Sequence, residues 1–454
     1  MNYRSDIPSY VSDILDLVNS AGYEAYVVGG AVRDLLVGRR PHDFDLASDA
    51  TPDQIVKLFE ENHIRYVDMA AKHGTITAIT PDGNIEITTF RSDGIYEDAR
   101  HPADVTFTRS IEEDVSRRDF TINSLYLDPD GEIRDLTGGM EDISKHLIRA
   151  VGDPVRRFEE DALRILRAIR FEALLGFDIE PKTKDAMVQK ASNLEIISSE
   201  RIQSEFIYML RCPFASKAIR DNLDILSIIL PELRLMKGFD QKSRYHDLDM
   251  LEHTLKVLDG IPLREGDRPL RDSELAAAAL LHDMGKPSSF VIDRHGFGHM
   301  KGHPEISKEI AIRVLSGLKC SKAFINDVAG LVELHDTFVP CEKTAVHRFM
   351  CEHDEAFLAR LALLQRADID AHSELGKSRI SKLEGRLALE KQLRDEGAAF
   401  SVSDLKIGGD DLIRLGVPTG PRIGQILDEL FELYLNGQTP NEAFALEQKA
   451  KGLI

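Results

Sequence analysis

An α/β head followed by an all-α, multidomain remainder is the fold class this sequence predicts, on three observations. β-rich runs alternate with helical patterns over residues 1 to about 147. After Gly152-Asp153-Pro154 nearly every segment carries helical periodicity, and strand signals are few. The length, 454 residues, leaves room for about three domains.

The head reads element by element. Residues 24–29 (EAYVVG) form a short strand entering a Gly-Gly turn, and a helix begins over 31–37. Residues 42–48 (HDFDLAS) read as a second strand. TPDQIVKLFEEN (51–62) reads as a helix with Thr51 as N-cap and Pro52 in its first turn. GTITAIT and NIEITTF are split by Pro81-Asp82-Gly83, which predicts a hairpin. The head thus spans 1–147. The helical part divides into 148–240, a histidine-rich 241–375, and 376–454. The last segment opens with GKSRISKLEGRLALEKQLR, which carries six Lys/Arg against two Glu and reads as a solvated helix before an RNA-binding face.

Composition narrows the class. Hydrophobic residues at 43% and charged residues at 30% suit a soluble globular protein. No stretch approaches the ~20 apolar residues of a membrane span. The opening MNYRSDIPSYVSDIL lacks the basic and apolar runs of a secretion signal. Cys212, Cys320, Cys341 and Cys351 form no C-x-x-C pair, so reduced thiols in a cytoplasmic protein are expected. A net charge of -20 argues against a uniformly basic nucleic-acid binder, but leaves open an enzyme with a local basic track.

Chemistry concentrates first around Gly29-Gly30 and Asp43-Phe44-Asp45. The glycines allow close backbone approach to phosphates, and a helix N-terminus offers free N–H groups to an anion. Arg33 can add a charged fork to a triphosphate. On one strand Asp43 and Asp45 share a face. Two adjacent carboxylates repel unless a cation separates them, and oxygen ligands suit Mg²⁺, the usual aid to phosphoryl transfer. Glu86 in IEITTF is a third candidate carboxylate, although a strand Glu is also an ordinary exposed residue. Further on, DALRILRAIR spaces Asp161, Arg164, Arg167 and Arg170 along one helix face. Ala162, Ile165, Leu166, Ile169 and Ala173 supply the packing stripe opposite. Three arginines there favour a phosphate or base contact over a plain solvated surface.

With VVGGAVRDLL (27–36), HDFDLAS (42–48), EITTFR (86–91), RRDFTINSL (117–125) and GDPVRRFEEDALRILRAIRF (152–171), the chain resembles the DNA polymerase β-like nucleotidyltransferases. It is close to their class II branch of CCA-adding enzymes and poly(A) polymerases. The resemblance covers residues 24 to about 172. It implies a polymerase β-like head and a helical neck whose E-D-x-x-R motif, here Glu160-Asp161-Ala162-Leu163-Arg164, reads the incoming base. It also implies that Arg167, Arg170 and Arg118 line the nucleotide site, with Asp119 and Asn123 near the ribose. Tyr96, Asp98, Arg100 and Pro102 resemble the flexible loop associated with the switch from C to A addition. The implied substrates are CTP, ATP and tRNA; no membrane and no protein partner are implied.

Residues 246–372 hold ten of the fifteen histidines. His253, His282-Asp283 and Asp368 resemble the H…HD…D pattern of the HD phosphohydrolase superfamily, and His303 and His335 stand where two-metal members keep ligands. Imidazole and carboxylate suit Mn, Ni, Co or Fe. A helical body that merely inherited the pattern is the alternative. An HD body also occurs in some bacterial CCA-adding enzymes. Gly416, Pro418, Gly420, Pro421 and Gly424 make a tight connection into a last helix, and by resemblance this tail holds the tRNA. The expected activity is template-independent CCA addition. The rivals are a poly(A) polymerase on the same scaffold, or an HD phosphohydrolase with a nucleotide-sensing head.

Overall fold

The computed structural model describes residues 2–93, 105–264, 266 and 269–454. Tyr96, Asp98, Arg100 and Pro102 lie outside the described residues. The chain clusters into two compact units. One holds 1–234 with 262–273 and 317–320; the other holds 235–261, 274–316 and 321–454.

The first unit is built on a seven-stranded mixed sheet. From edge to edge its strands are Arg65–Val67, Thr75–Thr80, Gly83–Thr89, Asp45–Ser48, Ala25–Val28, Leu125–Leu127 and Ile133–Asp135. The 83–89 strand alternates, burying Ile85, Ile87 and Thr89 and leaving Asn84 and Glu86 outward. Ala25–Val28 is buried throughout, as a central strand covered on both faces should be. Its Tyr26 shares a buried cluster with Phe90, Ile111, Val115 and Tyr126. Each fully buried large side chain there contributes ~1.5–3 kcal/mol.

Helix starts follow local chemistry. Pro52–Glu61 opens with the expected capping box, Thr51 and Gln54 satisfying each other's backbone N–H groups. Asp153 caps Pro154–Glu160, accepting from Val155 N at 3.0 Å. The hairpin turns between Thr80 and Gly83, as the sequence predicts.

Three expectations need correction. The strand begins at Asp45, so Asp43 sits in the irregular segment before it and not on the strand. The face from Asp161 to Arg170 is not one helix: Pro154–Glu160 ends, Asp161 takes an extended backbone (φ -147°, ψ 103°), and a new helix runs Leu163–Leu175. Asp161 sits at this break, its Oδ1 accepting from Leu163 N at 3.0 Å. The basic run near 380 is not simply solvated. Helix Ile380–Asp395 buries Leu383, Arg386, Glu390 and Leu393, with Arg386 Nε 2.9 Å from Glu390 Oε1 and Arg386 Nη1 donating to Gln365 Oε1 at 2.9 Å.

The second unit is helical apart from a two-stranded piece, Val291–Ile292 against Gly298–His299. Its long helices Met250–Gly260 and Glu355–Ala371 pack together and carry histidine-site residues on their facing sides. The C-terminal helices form a small core of Leu405, Leu412, Ile426, Leu430 and Leu446. Pro421 starts helix Pro421–Leu435 at its first position, as the Gly/Pro connection implies.

Candidate functional site

Three carboxylates converge at one end of the sheet. Asp45 pairs with Val28 on one side and, in parallel register, with Glu86 on the other. Asp43 is exposed two residues earlier, with His42 Nδ1 2.7 Å from its Oδ1. Asp45 as a residue is exposed, yet the surrounding protein partly desolvates its carboxyl. That, then the charges of Glu86 and Asp43, raises its pKa to about 6, with Arg118 only partly offsetting them. Such crowding of acceptor-only oxygens fits a divalent cation. The turn beside Asp45 needs glycine: Gly29 has φ 73° and leads directly into helix Gly30–Leu36.

Arg33 does not reach out from that helix. It is buried, donating through Nε and Nη2 to Asp34 Oδ1 (2.9 and 2.7 Å) and through Nη1 to Asn123 Oδ1 (2.7 Å). Its guanidinium also lies 5.2 Å from the Phe171 ring. The residue therefore ties the glycine turn to Asn123, and the phosphate fork expected of it is occupied by protein partners.

Arg118 is held by groups that sequence reading missed. Its Nη2 donates to Asp114 Oδ2 at 3.0 Å and its Nε to Tyr126 Oη at 2.7 Å, while Tyr126 Oη donates to the same Asp114. Asp114 is wholly buried; burial opposes its charge, but Arg118 and Arg117 hold it below the usual carboxylate range. Nothing in the acidic run Glu112-Glu113-Asp114 marks which carboxylate turns inward. Asp119 accepts from Arg167 Nη2 at 2.6 Å and from Asn123 Nδ2 at 3.4 Å.

Across the helix break, Asp161 Oδ2 receives Arg201 Nη2 at 2.7 Å. Arg170 pairs with Glu205 and stacks 4.1 Å over Phe171. Arg201 and Glu205 were also missed. They are i, i+4 neighbours on helix Ser199–Arg211, the one available signal. Arg164 is buried and spent on the protein: Nη1 donates to Glu160 Oε2 (2.8 Å) and Arg157 O (3.1 Å), and Nη2 to Arg117 O (3.0 Å). The structure thus gathers Arg118, Asp119, Asn123, Arg167 and Arg33 into one connected set. Asp161 and Arg164 are adjacent, but their side chains are bonded to other partners.

The second unit brings the six predicted histidine-site residues together. Asp283 stands at the centre. Its Oδ2 lies 3.2 Å from His282 Nε2 and 3.6 Å from His253 Nε2; its Oδ1 lies 3.4 Å from His303 Nε2 and 3.5 Å from His335 Nε2. Asp368 Oδ1 lies 3.0 Å from His253 Nε2. Three rings are aimed from behind, with Nδ1 on a backbone carbonyl: His282 on Ala279 (2.9 Å), His303 on Met300 (2.9 Å) and His335 on Val332 (2.6 Å). That leaves each Nε2 facing Asp283, the arrangement of metal-ligating histidines. His282 Nε2 and both Asp283 oxygens are buried without a well-aligned hydrogen bond, which fits ligand atoms turned toward a cation. Lys286 Nζ is 2.6 Å from Asp283 Oδ2 as an ion pair. A cavity of about 480 Å³ opens onto the cluster, lined also by Arg244, Tyr245, Phe297 and Arg379.

Comparison with known proteins agrees along the whole chain. A family profile of the Poly A polymerase head domain matches residues 25–149, the RNA- and SrmB-binding region of polymerase A matches 176–236, and tRNA nucleotidyltransferase domain 2 matches 303–450. A CCA-adding enzyme of Streptococcus gordonii is 35% identical, over 95% of this chain and 94% of its own length. One of Leuconostoc citreum is 50% identical, over 45% of this chain and half of its own length. The crystal structure of the Bacillus stearothermophilus CCA-adding enzyme in complex with CTP aligns with a TM-score of 0.69 at 27% identity, covering 97% of this chain and 96% of that one. Among the described residues no helix is long and apolar enough to cross a membrane. The polymerase-type head, the helical remainder and a relative matched nearly end to end agree, and the chain belongs to the CCA-adding enzyme family.

Proposed function

We propose that this chain adds CCA to the 3′ end of tRNA from CTP and ATP, in the cytoplasm and without a template. The convergence of Asp43, Asp45 and Glu86 at the sheet end carries this reading. Asp43 and Asp45, with Glu86 beside them, would hold a pair of Mg²⁺ ions; one would lower the pKa of the attacking hydroxyl and the other would stabilise the departing pyrophosphate. The tRNA 3′ oxygen forms a bond to the α-phosphorus while the bond from that phosphorus to the β-phosphate oxygen breaks. Arg118, fixed by Asp114 and Tyr126, places positive charge beside Asp45. The Gly29–Gly30 turn leaves room for the triphosphate. The four-part division at 147, 240 and 375 is kept as the functional one: head, neck, histidine-rich body and tRNA-holding tail. Incubating the protein with tRNA lacking CCA and each labelled nucleotide tests the reading. CMP and then AMP should be incorporated; a long AMP tail would mark a poly(A) polymerase instead.

Base choice rests on the neck. A carboxylate accepts from an exocyclic amine, and a guanidinium donates to ring acceptors. Cytosine and adenine both present an amine beside a ring nitrogen; uracil and guanine present a carbonyl there. Asp161 and Arg164 can therefore accept C and A together, once Arg201 releases Asp161 and Arg164 gives up a protein partner. Asp161→Ala or Arg164→Ala is expected to cut discrimination against UTP and GTP by about 1–3 kcal/mol. Unchanged relative rates for the four nucleotides would refute the role.

Acid should weaken the head's cation site. With its pKa at about 6, Asp45 is ionised at pH 7.5 and mostly protonated at pH 5.5. Protons and Mg²⁺ compete for it, so half-maximal incorporation should need about fourfold more Mg²⁺ at pH 5.5 than at pH 7.5. A Mg²⁺ requirement independent of pH over that range would contradict the crowding argument.

The cluster around Asp283 supports a second, separate activity. One carboxylate flanked by two histidine sets suits two transition metals, Mn, Ni, Co or Fe, held side by side for hydrolysis of a phosphate ester. A 2′,3′-cyclic or terminal phosphate on damaged tRNA suits the scheme, since its removal frees the 3′-hydroxyl that the head uses. Arg244, Lys286 and Arg379 would receive the phosphate charge in the cavity.

A further inference from the structure

We propose a third metal position in the second unit, made only of imidazole nitrogens from His246, His253 and His372. It rests on the reading of the Asp283 cluster as a metal centre. One nitrogen from each of the three rings lies within 4.8 Å of the others. The ring centroids are 5.1 Å apart for His246 and His253, 4.4 Å for His246 and His372, and 5.1 Å for His253 and His372.

His253 departs from its neighbours in a way that points to this site. His282, His303 and His335 each engage a backbone carbonyl through Nδ1, whereas His253 Nδ1 is fully buried and has no hydrogen-bond partner. A buried ring nitrogen left unmatched is destabilising, so its lack of a protein partner points to a ligand. His246 Nδ1 is unpartnered in the same way. His372 engages Asp368 O through Nδ1 at 2.6 Å, which leaves its Nε2 as the available ligand. His246 Nε2 lies 3.5 Å from Lys286 Nζ, on the side away from its unmatched nitrogen. Ligation through Nδ1 places the His246 proton on Nε2, and Lys286 keeps Asp283 Oδ2 and Gln241 Oε1 as partners.

His253 would then serve two cations. Its Nε2 faces Asp368 and Asp283, and its unmatched Nδ1 is the nitrogen left for the position shared with His246 and His372; when both nitrogens ligate, the ring proton is released to water. The chemistry of the two positions differs. The Asp283 cluster mixes carboxylate and imidazole, and accepts Mn²⁺. A position with nitrogen ligands alone selects Ni²⁺, Cu²⁺ or Zn²⁺ over Mn²⁺ and Mg²⁺.

The test is metal counting on the full-length protein. Chelator-stripped protein is loaded with Ni²⁺ or with Mn²⁺, desalted, and its metal content measured by mass spectrometry. Counted beyond any ion at the head's carboxylates, which the Asp43→Ala/Asp45→Ala variant subtracts, the native chain should hold three Ni²⁺ ions, and His246→Gln and His372→Gln two each; with Mn²⁺ all three proteins should hold two. Unchanged CTP and ATP incorporation by the head verifies that the variants are folded. Two Ni²⁺ ions in the native chain and in both variants would overturn the third position and leave the paired centre standing. Loss of every ion in both variants would overturn it too, making the two histidines supports of the pair. No Ni²⁺ or Mn²⁺ bound by the native chain would remove the metal reading of the whole cluster.

Discussion

Replacing Asp43 or Asp45 by alanine is expected to abolish incorporation of both CTP and ATP while tRNA binding changes little. The cation held there would supply several kcal/mol of charge stabilisation at the reacting phosphate. Losing about 4 kcal/mol corresponds to about a thousandfold in rate. Asp45 should be the more sensitive position, because its backbone is fixed by pairing with both Val28 and Glu86, whereas Asp43 lies outside the strand. Single-turnover incorporation on tRNA lacking CCA, compared with a filter-binding measurement on the same tRNA, separates chemistry from binding. Near-normal turnover of either variant with Mg²⁺ would show that the pair is not catalytic.

The double variant His282→Ala/Asp283→Ala should lose phosphate-ester hydrolysis and keep CCA addition. Asp283 touches both histidine sets, so its removal takes away the carboxylate they share and leaves only Asp368, beside His253. Hydrolysis that depends on a metal-activated water should fall by about a thousandfold or more, since such a metal brings that water's pKa from 15.7 toward ~7. The assay uses 2′,3′-cAMP and a simple aryl phosphate with Mn²⁺, Ni²⁺, Co²⁺ or Mg²⁺. Asp43→Ala should give the reverse pattern, because its ligands belong to the other unit. If the native protein hydrolyses neither substrate with any of these metals while adding CCA, the cluster is structural.

Residue chemistry was legible in the sequence where it is local. The Gly29-Gly30 turn, the Thr51 cap, the Pro81-Asp82-Gly83 hairpin and the His282-Asp283 pair depend on near neighbours, and the structure has each of them. The Asp45–Glu86 register was not legible, because it is a parallel pairing across an intervening helix and hairpin. The break at Asp161 escaped because the apolar periodicity continues through it; the extended backbone of Asp161 and its side chain's bond to Leu163 N appear only in the structure. Arg33 and Arg164 read as free cations although Asp34 and Glu160 are local partners; Asn123 and the Arg117 carbonyl, which complete their burial, lie far off in sequence and nothing local announces them. His372 could have been placed by its i, i+4 relation to Asp368 at the end of one helix, whereas His246 lies in an irregular segment with no period to read.

The Asp45–Glu86 pairing also sets which length changes the head can absorb during evolution. Side chains alternate along Gly83–Thr89, so deleting one residue inside that strand would carry Glu86 to the opposite face and bring a neighbouring isoleucine to the rim in its place. The stretch from Asn62 to Gly74, apart from the edge strand Arg65–Val67, imposes no such phase, whereas the two-residue turn between Thr80 and Gly83 sets the register of its hairpin. Insertions and deletions in this part of the head are therefore admissible in that connector and lethal to catalysis within the two paired strands.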